Sequence, residues 1–102
     1  MEETDFHRLA DTTLEKLAAE LENADSAGAL EVEYINGILN IEIPRAKQYV
    51  INKHTPMRQI WLASPISGAA HFSYDGGKWV SSSGVELESL LRGELMAITE
   101  NP

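Results

Sequence analysis

The chain has 102 residues, 43% of them apolar, and a formal net charge of −8, which fits one folded domain over residues 1–102 and argues against wholesale disorder. It contains no cysteine, so disulfides, thiolate metal sites and an iron–sulfur cluster held by its own thiolates are excluded. No apolar run approaches the roughly 18 residues that span a bilayer, and no basic patch of the kind that nucleic acid demands is evident.

The first element is predicted as a helix over residues 6–23. Phe6, Leu9, Ala10, Leu14, Leu17 and Leu21 recur at helical spacing on one stripe, and Thr4 or Asp5 is expected to cap its start. The preceding MEETDFHRLAD lacks both the apolar region of a signal peptide and the Arg-rich look of a transit peptide. A cytoplasmic protein is expected, with a mature organelle domain as the alternative.

LEVEYINGILNIEI, residues 30–43, reads as a hairpin. Asn36-Gly37 suits a two-residue type I′ turn. That turn pairs Val32 with Ile41, Tyr34 with Leu39 and Leu30 with Ile43, which places all six apolar residues on one face. Glu31 then lies opposite Glu42, and Glu33 opposite Asn40.

Four more strands are predicted, at 48–52, 59–63, 70–74 and 78–81, separated by Pro and Gly turns. Ser83 and Glu86 match a capping box for a second helix, whose apolar side carries Leu87, Leu90, Leu91 and Ile98. Helix, strands, helix is the order of an α+β two-layer sandwich, with two helices packed on one face of an antiparallel sheet. The other face is left to solvent or partners.

Charge is unevenly placed. Residues 1–42 hold eleven acids and two bases, whereas residues 43–102 hold five and six. The acidic half points to cations or a basic partner; a purely solubilising surface is the plainer reading. On the first helix Asp11, Glu15 and Glu22 fall within about 40° of one another at about 100° per residue. Asp11 and Glu15 are i and i+4 and can share a cation, with His7 one turn before Asp11. Glu22 lies roughly 16 Å farther along the axis, so loose separate sites are expected instead of one cage. Asp25, Glu31 and Glu33 extend the field if the hairpin lies beside this helix.

In Gln59-Ile60-Trp61-Leu62-Ala63, Ile60 and Leu62 form the natural core pair. Trp61 then faces outward with Gln59, and Asn52 joins them if Ile51 is buried. An exposed tryptophan flanked by amides has the chemistry of a binding hot spot; a tryptophan lying flat in the sheet, or a reversed strand phase, is the competing reading. His54 and His71 are expected as ordinary surface residues, in a turn and at the start of a strand. No nucleophile triad or phosphate loop is recognisable.

YVINKHTPMRQIWLASPISG at 49–68 resembles the signature of the frataxin family. FHRLAD at 6–11, NGILNI at 36–41, GKWV at 77–80 and GVELESLLRGEL at 84–95 are similar to further segments of that family, in order along the chain. The resemblance implies two helices on an antiparallel sheet and weak binding of ferrous or ferric iron on an acidic ridge, with other divalent cations also accepted. It maps that ridge onto His7, Asp11, Glu15, Glu22, Asp25, Glu31 and Glu33. It also implies a cysteine desulfurase and an iron–sulfur scaffold protein as partners, met through Asn52, Gln59 and Trp61, and a monomer with iron-dependent oligomers. The chain departs from the family at His54, where many members carry Gln. It departs again at Ala69-Ala70-His71, where mitochondrial members commonly carry Pro and basic residues. The function so implied is that of a non-catalytic regulator of cluster assembly. A weak ferroxidase and an acidic adaptor with incidental metal binding are the alternatives.

Overall fold

Strand order in the sheet follows strand order in the chain. The computed structural model describes residues 1–24, 28, 30–43 and 47–100. Helix α1 (Glu3–Ala24) is followed by β1 (Glu31–Ile35), β2 (Ile38–Ile43), β3 (Lys47–His54), β4 (Gln59–Ser64), β5 (Gly68–Asp75), β6 (Lys78–Ser81) and α2 (Leu87–Glu100). The six strands form one antiparallel meander in the order β1-β2-β3-β4-β5-β6.

The hairpin register is the one that alternation and turn chemistry predict. Val32 pairs with Ile41, Tyr34 with Leu39, Glu31 with Glu42 and Glu33 with Asn40. Asn36 and Gly37 carry φ of 53° and 76°, the two left-handed residues of a type I′ turn.

Period-two alternation sends one set of side chains to the helices. Leu39, Ile41 and Ile43 of β2, Tyr49 and Ile51 of β3, Ile60 and Leu62 of β4, Phe72 of β5 and Trp79 of β6 are all buried. They form one cluster with Phe6, Ala10, Leu14, Leu17 and Leu21 of α1 and with Leu87, Leu91 and Leu95 of α2. Two helices on one face of an antiparallel sheet is therefore the architecture, and the opposite sheet face carries no covering element among the described residues.

Polar ties lock the layers together. Trp79 Nε1 donates to Thr13 Oγ1 at 2.9 Å, and Thr13 in turn donates to the Leu9 carbonyl at 3.0 Å. The Tyr49 hydroxyl and Ser64 Oγ both donate to Glu94 Oε1, at 2.8 Å and 2.6 Å, which pins α2 to the ends of β3 and β4. Burial opposes the charged form of Glu94. The bonds from Ser64, Ser67 and Tyr49 outweigh it, and the carboxyl sits below its usual range.

Three expectations are corrected. Helix α1 begins earlier than residue 6: the Phe6 amide already bonds to the Glu2 carbonyl at 2.9 Å, so neither Thr4 nor Asp5 is its cap. Ser83 and Glu86 do not form a capping box. Ser83 Oγ meets Ser81 Oγ, whereas Glu86 pairs with Val80 as an extension of the sheet, and its carbonyl accepts the first α2 bond, from Leu90. Glu86 thus stands at the helix boundary, and its carboxylate takes the Ser89 hydroxyl at 2.6 Å. Strands β3 and β5 also run farther than predicted, which puts His54 and His71 inside the sheet. Ile98 and Asp25 fall outside what the structure describes, Ile98 for its side chain and Asp25 entirely.

Candidate functional site

Alternation along β3 separates two sets of side chains, and each builds a different site. Tyr49, Ile51 and Lys53 share the parity that faces the helices. Gln48, Asn52 and His54 share the parity of the open face.

On the helix side the i,i+4 spacing of α1 brings His7 and Asp11 onto neighbouring turns, and a cation already sits between them. Lys53 Nζ lies 2.7 Å from Asp11 Oδ1 and 3.1 Å from His7 Nδ1. The Tyr34 hydroxyl, two strands away on β1, donates to the same Asp11 oxygen at 2.8 Å. Burial raises the cost of charging Asp11. The hydrogen bonds from Lys53 and Tyr34 and the ammonium charge more than offset that, so its carboxyl lies below the usual carboxylate range. The same contact works in reverse on Tyr34: burial, then the bond to Asp11, then the charges of Asp11 and Glu15 push its hydroxyl well above the usual phenol value. Glu15 is exposed and close enough for its charge to act on Tyr34, and Lys53 pairs with Asp11, one of the two carboxylates that stand at i,i+4. Glu22 is exposed at the far end of α1.

Glu31 and Glu33 do not join this group. Val32 and Tyr34 point to the helices, so the alternate residues Glu31 and Glu33 project to the open face. There they line a shallow groove of about 320 Å³ with Asn40, Glu42 and Gln48. The acidic surface is therefore two patches on opposite sides of the edge strand. Among the described residues no three His, Asp or Glu side chains converge as a metal site. Asp25 lies outside the described residues.

The open face is organised around Trp61, and the phase of β4 is the one with Ile60 and Leu62 buried and Trp61 outward. Asn52 and His71 flank Trp61 on the neighbouring strands, and its indole N–H donates to Gln59 Oε1 at 2.9 Å. The indole is sandwiched: His54 stacks on one side at 3.7 Å between centroids and 5° between planes, His71 on the other at 4.1 Å and 11°. Ile35 and Ile38, paired in the hairpin, continue this row beyond Asn52 and are exposed. The open face thus brings Asn52, Gln59 and Trp61 together, and adds His54 and His71, which the sequence alone presents as ordinary surface residues. Lys53, Tyr34, His54 and His71 are the members that sequence reasoning missed. The one signal for Lys53 is its parity with buried Tyr49 and Ile51. A lysine in that position requires an acidic partner.

Fold and site together define a small α+β sandwich with an acidic helix ridge and a tryptophan-centred sheet face that carries a second acidic patch at its edge. A family model described as "Frataxin-like domain" matches residues 1–101, and the chain belongs to that family. The chain is 39% identical over 104 residues to the iron–sulfur cluster assembly protein CyaY of Vibrio cholerae serotype O1, covering 100% of this chain and 96% of that protein. Trimeric frataxin from the yeast Saccharomyces cerevisiae, with its full-length N-terminus, superposes with a TM-score of 0.84 at 38% identity, covering 91% of this chain and 80% of that one. The trimeric yeast frataxin complexed with ferrous iron superposes at 0.80 and 39% identity, with coverages of 97% and 88%. No described helix is long and apolar enough to cross a membrane.

Proposed function

We propose that the protein is an iron-binding accessory factor of iron–sulfur cluster assembly. It carries ferrous or ferric iron loosely on its carboxylates and docks on a cysteine desulfurase–scaffold complex through the open sheet face. The observation that supports this reading best is the separation of its two surfaces. His7, Asp11, Glu15 and Glu22 lie on α1, while Asn52, Gln59 and Trp61 lie on the far side of the sheet, so metal and partner are held without competing for the same atoms. The naming of the Vibrio relative and the ferrous complex of the yeast relative agree with it.

Iron is cargo in this scheme, not a resident cofactor. His7 and Asp11 suit it to the extent that both already address one cation, the Lys53 ammonium. Imidazole nitrogen and carboxylate oxygen suit iron ions. Two ligands leave most of a metal's coordination to water, which fits weak binding at several places. We place iron binding on the α1 set first; Glu31 and Glu33, the second acidic set, share the open face with the partner surface, and the setting is cytoplasmic.

The lack of three convergent ligands among the described residues favours one other reading, an acidic adaptor whose carboxylates meet a basic partner. Capture of the purified desulfurase–scaffold pair, with and without ferrous iron, separates the two. Iron-dependent capture supports the regulator. Capture indifferent to iron and abolished by neutralising the ridge supports the adaptor. No capture in either state removes the partner assignment.

A further inference from the structure

The cation between His7 and Asp11 reaches them along a prepared path. Lys53 leaves β3 on the helix side and crosses the β1–β2 turn over Gly37. A Cβ added at Gly37 would stand 2.7 Å from Lys53 Cε and 3.4 Å from Nζ. The Lys53 amide also meets the Gly37 carbonyl at 3.4 Å. The missing side chain at Gly37 is therefore the groove in which the lysine stem lies. Only 17% of that lysine side chain is exposed, unlike an ordinary surface lysine that trails into solvent.

At the end of this path the ammonium occupies the space between His7 Nδ1 and Asp11 Oδ1. It only donates, so His7 accepts through its Nδ1 lone pair and Asp11 through Oδ1. We propose that Lys53 is a built-in counter-cation of the His7–Asp11 pair, and that a divalent metal ion binds this pair only by displacing the chain's own ammonium. The inference rests on the reading that the α1 ridge takes metal, and it names what regulates access to it. Ammonium and metal cannot both take the single lone pair of His7 Nδ1, Asp11 Oδ1 is already filled by Lys53 and Tyr34, and like charges a few ångströms apart repel. The exchange favours ions of charge two or more over monovalent ions, because the leaving group itself carries a single positive charge.

The test is anaerobic titration calorimetry with ferrous iron on the unmodified protein, Lys53→Met, Lys53→Arg and the double variant Lys53→Met/Asp11→Asn. Lys53→Met is expected to bind about fivefold more tightly or better, the weight of one unit charge near 4 Å even in water. Lys53→Arg keeps the charge and is expected to stay near the unmodified protein, and Asp11→Asn is expected to erase the gain. Unchanged or weaker binding by Lys53→Met, or a gain that survives Asp11→Asn, overturns the inference. An NMR titration of the unmodified protein with zinc stands apart from any folding defect of the variants. His7 ring shifts accompanied by loss of the protected Lys53 ammonium signal support displacement. His7 saturation with that signal intact refutes it. The two readings fail separately: a site gained in Lys53→Met when the unmodified ridge takes no iron upholds the lock and removes the iron-carrying role. Iron bound by the unmodified ridge with no effect of Lys53→Met does the reverse.

Discussion

The imidazole of His54 lies parallel to the indole of Trp61, 3.7 Å away between centroids and 5° between planes, and His71 closes the other side. Both faces of the Trp61 indole are thus covered on the open face, and the two imidazoles leave only its edge uncovered. Trp61→Ala is expected to lose two stacking contacts of about 1 kcal/mol each and no core volume. It is expected to remain folded in a circular-dichroism melt, while binding to the desulfurase–scaffold complex falls by about thirtyfold, the weight of a 2 kcal/mol anchor. Trp79→Ala, which empties a buried site, is the contrast, with an expected cost of about 3–5 kcal/mol. Unchanged complex binding by a folded Trp61→Ala variant would take the sheet face out of the partner scheme.

Acid stability follows from Glu94 and Asp11. Both carboxyls lie below their ordinary values in the folded chain. A depressed folded pKa contributes stability that is fully present above the unfolded value, about 4, and is lost as pH falls through the folded value. Urea midpoints measured from pH 7 downward are expected to hold steady to about pH 5 and then decline. Glu94→Gln is expected to flatten that decline and lower the neutral-pH midpoint. A decline as steep in Glu94→Gln as in the unmodified chain would show that the Tyr49–Glu94–Ser64 contact is not its source.

Gly37→Ala is expected to cost more than about 1 kcal/mol, because φ of 76° is unfavourable for alanine and the new methyl strikes Lys53 Cε. The two parts are separable by a double-mutant cycle. Lys53→Ala removes the collision but not the backbone strain, so the penalty of Gly37→Ala should shrink in that background without vanishing. An identical penalty in both backgrounds would mean that the lysine stem does not run over the turn.

Thr13→Val keeps the shape of the side chain but removes the acceptor for the Trp79 indole N–H. A buried donor left unpaired costs about 1–3 kcal/mol, which thermal or urea unfolding would register. Thr13→Ser retains the hydroxyl and is expected to recover the hydrogen-bond part of that loss.

The hairpin was legible because two independent local signals, the alternation of 30–43 and the Asn36-Gly37 turn, agree on one register. The apolar stripe of α1 and the two-layer arrangement were legible for similar local reasons. The Lys53 cluster was not: its members are separated by 23 residues between Asp11 and Tyr34 and by 46 between His7 and Lys53, and only the laying of β3 against the hairpin brings them together. The His54–Trp61–His71 stack depends on the registers across β3, β4 and β5. The connecting turns there are longer than two residues and carry no comparable rule. Ser83 and Glu86 misled because a spacing that fits a helix cap also fits one more sheet bridge, and the Val80–Glu86 bridge, closed by the Ser81 amide on the Val85 carbonyl, won.

The meander also governs how the chain finds its structure. Each strand pairs with the one just before it, so the sheet is assembled through short loop closures whose entropic penalty is small. Only the helices demand long ones, as between Thr13 and Trp79, 66 residues apart, and between Glu20 and Arg92, 72 apart. Such a topology favours rapid folding for a chain this rich in strands. During synthesis, however, the apolar stripe of α1 leaves the ribosome long before Trp79, the tryptophan that donates to Thr13, which follows it by 66 residues.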